Sequence, residues 1–299
     1  MIQVANAPCS WGVLEFDGVA APSDYATVLD EIRDTGYAGT ELGDWGFMPT
    51  APARLKAEIK ARGLELVGAF VPVAFANPGA HDAGAATAIR TATLMRDAGF
   101  SGAFIVLADD NASVAMREQN AGRIRPEHRL SDEAWMTFAA GVDKVANAVA
   151  QETGLRTVFH PHCGGYVETP DEIDRLMELT DRTRVGLVLD SGHIIYGGGD
   201  PLTVLNTHRP RVWHVHFKDC DLNVAKSARQ KRLGYLEAVR AQLFCELGTG
   251  VVDFASIAGA LKSSGYGGWI VVEQDVFPGY GSPKASAQRS REFLRGLGL

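Results

Sequence analysis

The run VGLVLDSGH, Val185 to His193, decides how the rest of the chain is read. From Val185 to Leu189 no polar residue interrupts it; it then ends in Asp190, with His193 three residues on. A strand with one wetted face alternates apolar and polar residues. A strand apolar throughout is covered on both faces, as in an all-parallel sheet. The next such run, Val212 to Phe217, lies in WHVHFKD and carries His214 and His216 ahead of Lys218 and Asp219. A short helix after Pro201 fills the gap between them. Two strands joined by a helix are a β/α crossover unit.

Working outward, the unit repeats. Towards the N-terminus come the apolar runs Thr157 to His160, Gly102 to Leu107, Leu64 to Phe70, Gly39 to Leu42 and Ile2 to Ala7. Towards the C-terminus comes Trp269 to Val272. Helical periods separate them: Tyr25, Val28, Leu29 and Ile32 closed by Gly36; Leu55 and Ile59 stopped by Gly63; and Ala83 to Ala98 stopped by Gly99. The cleanest period is Trp135, Phe138, Ala139, Val142, Val145, Ala146 and Val149, ending at Gly154. Thr169-Pro170-Asp171-Glu172 reads as a capping box with proline at the first helical position, ahead of Ile173, Leu176 and Met177. Phe254, Ile257, Ala258 and Leu261 outline another helix, and Pro283 to Leu297 the last. Eight units predict an α/β fold, a (β/α)8 TIM barrel forming one domain over 1–299. Such a barrel needs about 250 residues, and the excess falls in two charged segments, Asp109 to Leu130 and Lys218 to Gln242. Loops of that length are usually lids or binding elements. A doubly wound dinucleotide fold lacks support, since no GxGxxG follows the first strand.

Composition narrows the function classes. Of 299 residues, 46% are hydrophobic and 22% charged, enough for a packed core, so disorder is excluded. The 33 glycines form no low-complexity repeat and serve turns. The formal charge of −7, with no basic stripe, argues against nucleic acid. No apolar run of roughly 18 residues offers a membrane span. The start, MIQVANAPCSWG, lacks the basic and apolar regions of a secretory signal. Cys9, Cys163, Cys220 and Cys245 include no CxxC pair, so free thiols and a cytoplasmic location are expected.

In a barrel the reactive groups sit where strands end. Here those positions hold Glu41, His160 and His162, Asp190 and His193, His214 and His216 with Lys218, and Glu273. Each alone has a structural explanation: a cap, a buried hydrogen bond, a hydrated patch. Converging in one mouth, they would be costly to bury together without a cation. One ligand per strand gives His160, Asp190, His216 and Glu273. Two imidazoles and two carboxylates suit Mn²⁺, Co²⁺, Fe²⁺ or Zn²⁺, and suit Ca²⁺ poorly. His162, His193 and His214 then fall to a second layer or to the substrate, since an imidazole titrating near 6.5 moves protons well at neutral pH.

Taken together, VGLVLDSGH, WHVHFKD, GYGGWIVVEQD, FHPHCGGYVETPDE, GTELG and APCSWG resemble the xylose-isomerase-like barrels, a sugar phosphate isomerase/epimerase superfamily, over nearly the whole chain. Within it the chain is most similar to inosose (2-keto-myo-inositol) dehydratases. The resemblance implies a divalent ion, Mn or Co by preference and Zn, Fe or Mg otherwise, held by Glu, Asp, His and Glu from strands five to eight. Asp190, His216 and Glu273 match the last three. His160 stands where the family has Glu, so it either binds the metal itself or leaves three protein ligands and waters. The loss of that Glu weakens the case for the symmetric two-Glu chemistry of the family's isomerases and epimerases. His193 matches a substrate-contacting histidine. His162 falls where relatives place a catalytic one, and is nominated as base.

The implied reaction is dehydration of a ketocyclitol or keto-sugar through a metal-stabilised enediolate. His162 or Glu273 takes the α-proton, and His193 or Lys218 protonates the departing hydroxyl. Reprotonation instead would make the chain an isomerase or epimerase. A barrel that keeps its metal without turnover would be a sugar-binding protein. A metal-dependent nuclease of the endonuclease IV-like kind is disfavoured by the charge. The expected partner is a small polyol, keto-sugar or cyclitol, contacted by Trp11, Glu41, His193 and His214, with a homo-oligomer consistent with family habit. Phosphate on it is disfavoured. Gly248-Thr249-Gly250 would offer backbone N–H groups, but Asp253 beside them repels an anion. Cys163, next to His162, is read as packing rather than as a nucleophile.

Overall fold

The computed structural model describes residues 2–14, 23–110, 113–277 and 280–299. Eight parallel strands close into a barrel. They are β1 (Gln3–Asn6), β2 (Gly39–Glu41), β3 (Glu65–Val73), β4 (Phe104–Asp109), β5 (Arg156–Phe159), β6 (Val185–Asp190), β7 (Val212–Phe217) and β8 (Trp269–Val272). Each pairs with its sequence neighbours, and β8 closes on β1, with Asn6 opposite Val272. All eight expected strands are present. Their ends shift by a few residues: β3 runs on through Pro72 to Val73, and β5 stops at Phe159, leaving His160 just past its end. Pro72 forfeits a backbone donor, which would favour ending β3 before it, yet the register continues past it to Val73 opposite Asp109.

The outer ring is α1 (Tyr25–Asp34), α2 (Pro52–Ala61), α3 (His81–Asp97), α4 (Asp132–Thr153), α5 (Pro170–Leu179), α6 (Pro201–His208), α7 (Phe254–Ser263) and α8 (Pro283–Gly296). Their ends are set locally. Asp24 and Ser131 accept the N–H groups of Thr27 and Ala134 in the first turns of α1 and α4. At Gly154 the backbone turns left-handed (φ 75°) and ends α4, a conformation that suits glycine. In α5, Glu172 reaches back to the Thr169 N–H at 2.9 Å, as its motif predicts. The apolar faces of these helices pack on the outward residues of the strands, and smaller clusters such as Phe104, Val106, Val158 and Val188 fill the barrel interior.

Both long segments form structure over the mouth. In Asp109–Leu130, apart from residues 111 and 112, which lie outside the described residues, there is a helix Ala115–Gln119 and a 3₁₀ turn Pro126–His128. Lys218–Gln242 holds helices Leu222–Lys231 and Tyr235–Arg240, and Asp219–Cys220 forms a two-stranded ribbon with Phe244–Cys245. The two segments are hydrogen-bonded to each other. Arg123 donates to Leu233 O (2.9 Å), Arg229 to Gly122 O (3.0 Å), and Leu236 N–H to Glu118 (3.2 Å). Arg117, fully buried, ties the first segment to the β5 loop through both oxygens of Glu172 (2.8 and 2.9 Å) and Gly165 O (2.7 Å). Among the described residues no helix is long and apolar enough to cross a membrane, and all four cysteines are free.

Candidate active site

The period of two along parallel strands sends alternate side chains into the barrel. In register, Asp190 lies opposite His216, and His216 opposite Val271, two residues before Glu273. His160, Asp190, His216 and Glu273 therefore meet at the C-terminal mouth, with one potential ligand atom from each lying within 4.8 Å of the others. His160 Nε2 is 3.3 Å from Asp190 Oδ2, and His216 Nδ1 is 3.8 Å from that oxygen and 3.4 Å from Glu273 Oε1. The four expected metal ligands thus form one buried cluster.

Two observations test whether a cation fits. Among the described residues, Asp190 Oδ2 and His216 Nδ1 are buried with no hydrogen-bond partner, although they face one another's group. Buried polar atoms are rarely left so. Second, burial opposes charge on His216, yet Glu273 and Glu41 hold its proton well above the ordinary histidine range. This spot demands positive charge, and a divalent ion bound by two imidazoles and two carboxylates supplies it. The cluster fits a divalent metal.

Glu41, at the end of β2, lies beside the cluster. Its Oε1 accepts from His214 Nε2 (2.7 Å) and His216 Nε2 (3.1 Å). Burial pushes this carboxyl up, but the His216 charge and the two hydrogen bonds bring it down to about 2. His216 is thereby held at both nitrogens, with Nδ1 turned to the metal position and Nε2 to Glu41, the arrangement that orients metal-bound histidines. Glu41 also lines the cavity above the cluster, whereas His214 sits one layer deeper, fully buried against Phe104.

Lys218, just past β7, is buried with its Nζ 3.0 Å from Glu273 Oε2, 3.1 Å from both oxygens of Asp275 and 3.2 Å from His193 Nε2. Burial works against its charge, but Asp275 and Glu273 raise it well above the usual lysine range. Burial also lowers His162 and His193 well below the usual imidazole range, so both are neutral at pH 7. Their rings stack with centroids 4.0 Å apart. The Cys163 thiol is pushed far up by burial and donates to His193 O (3.3 Å), which makes it no nucleophile.

Trp11 is almost fully buried and donates its indole N–H to Glu31 (2.7 Å). It borders a second cavity of about 650 Å³ with Phe244, Asp275 and Phe277, not the space above the cluster. Directly above the cluster only about 80 Å³ is open, far below the roughly 300 Å³ at which ligand pockets begin. Asp275 lines both spaces.

Two residues at the site escaped the sequence reading. Asp275 is two residues beyond Glu273, the same spacing that pairs His214 with His216, so the signal was present. Tyr235 comes from the Lys218–Gln242 segment and donates to Asp275 Oδ2 (3.2 Å), and nothing local in the sequence reveals it. The Gly248-Thr249-Gly250 nest, where the sequence disfavours an anion because of Asp253, is filled from within by a different carboxylate. Asp219 Oδ2 accepts Gly248 N–H and Gly250 N–H (both 2.9 Å), and Oδ1 accepts Val252 N–H (3.1 Å). A Cβ at Gly250 would fall 2.3 Å from that carboxylate, so glycine is required for the approach.

With this geometry in hand, the comparisons are specific. The family model described as "Xylose isomerase-like TIM barrel" matches residues 29–297. A protein of Geobacillus kaustophilus (strain HTA426) named inosose dehydratase is 32% identical over 98% of this chain and 93% of its own length. The rhizopine catabolism protein MocC of Rhizobium meliloti is 35% identical over 98% of this chain and 87% of its own. Among solved structures, the IolI protein with a bound zinc atom superposes with a TM-score of 0.72, covering 99% of this chain and 97% of that one at 15% identity. At that identity the likeness is one of fold.

Proposed function

The chain belongs to the xylose isomerase-like TIM barrel family, and from that premise we propose that it is a divalent-metal-dependent lyase that dehydrates a ketocyclitol, in the manner of an inosose dehydratase. The observation that carries the reading is the match to relatives of that name over 98% of the chain, joined to a buried His/Asp/Glu cluster at the strand ends that could hold a metal. His160, Asp190, His216 and Glu273 would hold the ion, with Mn²⁺ or Co²⁺ favoured by the mixed donor set and the zinc of the IolI structure in keeping with it. When bound, the ion would supply Lewis acidity towards a ketone oxygen and its neighbouring hydroxyl.

The chain's own groups account for the rest. Neutral His162 lines the cavity and, with Glu273, is a base in reach of an α-proton. His193 and Lys218 are donors beside the same space, suited to a departing hydroxyl. Glu41 orients His216, and its open side meets substrate; His214 acts through Glu41, and Trp11 through the neighbouring cavity. The filled glycine nest and the carboxylates around the mouth favour an uncharged polyol over a phosphate ester. The four free thiols support a cytoplasmic setting.

Proton NMR in D₂O with 2-keto-myo-inositol tests the reading, using protein stripped with a chelator and reloaded with Mn²⁺ or Co²⁺. Loss of water to a dione, absent from the stripped protein, is expected. Deuterium wash-in with a new isomer and no elimination would make the chain an isomerase or epimerase. Neither product from any keto-sugar would leave a binding protein.

A further inference from the structure

Two imidazoles at the site, their ring centroids 4.0 Å apart, are wired to the backbone of one residue, Cys163, in opposite senses. Cys163 N lies 3.1 Å from His193 Nδ1. A backbone N–H can only donate, so Nδ1 of His193 carries the lone pair and the ring's single proton sits on Nε2. Cys163 O lies 2.9 Å from His162 Nδ1. A carbonyl can only accept, so His162 is protonated at Nδ1, and its Nε2, 3.5 Å from the Tyr235 hydroxyl, carries the lone pair. The partners of Cys163 are fixed in turn: the His193 backbone N–H is held by Asp190 Oδ1 (2.8 Å), and Cys163 Sγ by His193 O (3.3 Å). Neither ring can flip without breaking its bond to the Cys163 backbone.

We propose that the Cys163 backbone, through its N–H and its C=O, sorts the two histidines into a base and a hydrogen-bond donor, and so sets the direction of proton flow. The proposal rests on the dehydratase reading. With Nε2 protonated, His193 Nε2 and Lys218 Nζ are two donors 3.2 Å apart, and one substrate oxygen bridging them from the side, at about 2.8–3.0 Å from each, would accept from both. The α-proton of the substrate goes to His162 Nε2, and the electron pair of that C–H bond becomes the new C=C bond. The C–O bond at the β-carbon breaks with its electrons on oxygen, which accepts a hydrogen bond from His193 Nε2 and takes its proton from the Lys218 ammonium to leave as water. His162 ends protonated and Lys218 neutral, and solvent restores both. His193 is a catalytic donor that changes no charge, and Cys163 is a positioning residue acting through its backbone alone.

The direct test is long-range ¹H–¹⁵N correlation NMR on Zn²⁺-loaded protein labelled in histidine, with the two rings assigned from His162→Ala and His193→Ala. The expected spectra are the Nδ1–H tautomer for His162 and the Nε2–H tautomer for His193. The same tautomer in both, or Nδ1–H in His193, overturns the proposal. A kinetic arm reads the consequence in D₂O with 2-keto-myo-inositol. His193→Ala should keep α-deuterium exchange within about tenfold of the unmodified protein while dione formation falls on the order of 100-fold or more; His162→Ala should lose both. Equal loss of exchange and elimination in His193→Ala overturns the division of roles. If the unmodified protein performs neither step, the dehydratase reading fails, while the tautomer spectra still decide the sorting by Cys163.

Discussion

Removing the Glu41 carboxylate should weaken both the fold and the metal site, and the two effects can be separated. In Glu41→Ala, the Nε2–H groups of His214 and His216 lose their shared acceptor (2.7 and 3.1 Å) in a region where all three side chains are nine-tenths or more buried. Each orphaned buried donor costs about 1–3 kcal/mol, so a loss of about 2–6 kcal/mol in unfolding free energy is expected. Glu41→Gln retains an oxygen that can accept from both rings, but without charge. Charge-assisted bonds are about twice as strong as neutral ones, so a smaller loss, about 1–2 kcal/mol, should follow. His216 loses its anchor only in the alanine variant, and removal of such an outer partner usually costs ~10–100-fold in metal affinity. Urea unfolding followed by tryptophan fluorescence reads the first effect, and competition between protein and chelator for Zn²⁺ reads the second. An alanine variant as stable as the parent, with Zn²⁺ affinity unchanged within about twofold, would show that Glu41 does not hold these rings, and the reasoning would be refuted.

Further outcomes follow from other buried groups. Burial raises the Asp109 carboxyl to about 7, whereas the unfolded chain ionises near the usual 3.8. The folded state therefore holds that proton longer, and its contribution to stability is lost as pH rises from the unfolded value to the folded one. Relative to Asp109→Asn, the parent should lose about 2–3 kcal/mol between pH 5 and 8, measured by urea titration at both values; an equal difference at both would sink the assignment. Glu172→Ala strands the fully buried Arg117 guanidinium, a break that typically costs about 3–5 kcal/mol; calorimetry should show the melting point falling sharply, and a shift within error would contradict the pairing. Cys163→Ala deletes a buried, protonated thiol but leaves the backbone N–H and C=O that hold His193 and His162; turnover should survive, and a loss beyond about tenfold, or 1.4 kcal/mol of barrel-mouth chemistry, would give the thiol a part in it.

The barrel itself was legible along the chain, because its cause is local. Runs such as Val185–Leu189, apolar on both faces, can only be interior parallel strands, and helices with one apolar stripe can only cover them. The meeting of the candidate ligands was legible for the same reason: once eight strands are counted, residues at their ends share a mouth, and His160, Asp190, His216 and Glu273 converge there. What the sequence could not fix was direction and distance across elements. Whether Glu41 turns to the substrate or to His216 depends on where β2 stands against β7, not on its neighbours in the chain. Tyr235 reaches Asp275 only because two insertions fold over the mouth and bond to each other, and the Asp219 carboxylate that fills the glycine nest is 29 residues from Gly248. The protonation sense of His162 and His193 was decided last of all. It depends on hydrogen-bond directions at the backbone N–H and C=O of one residue, Cys163, and a hydrogen bond's direction exists only when donor and acceptor have been placed in three dimensions.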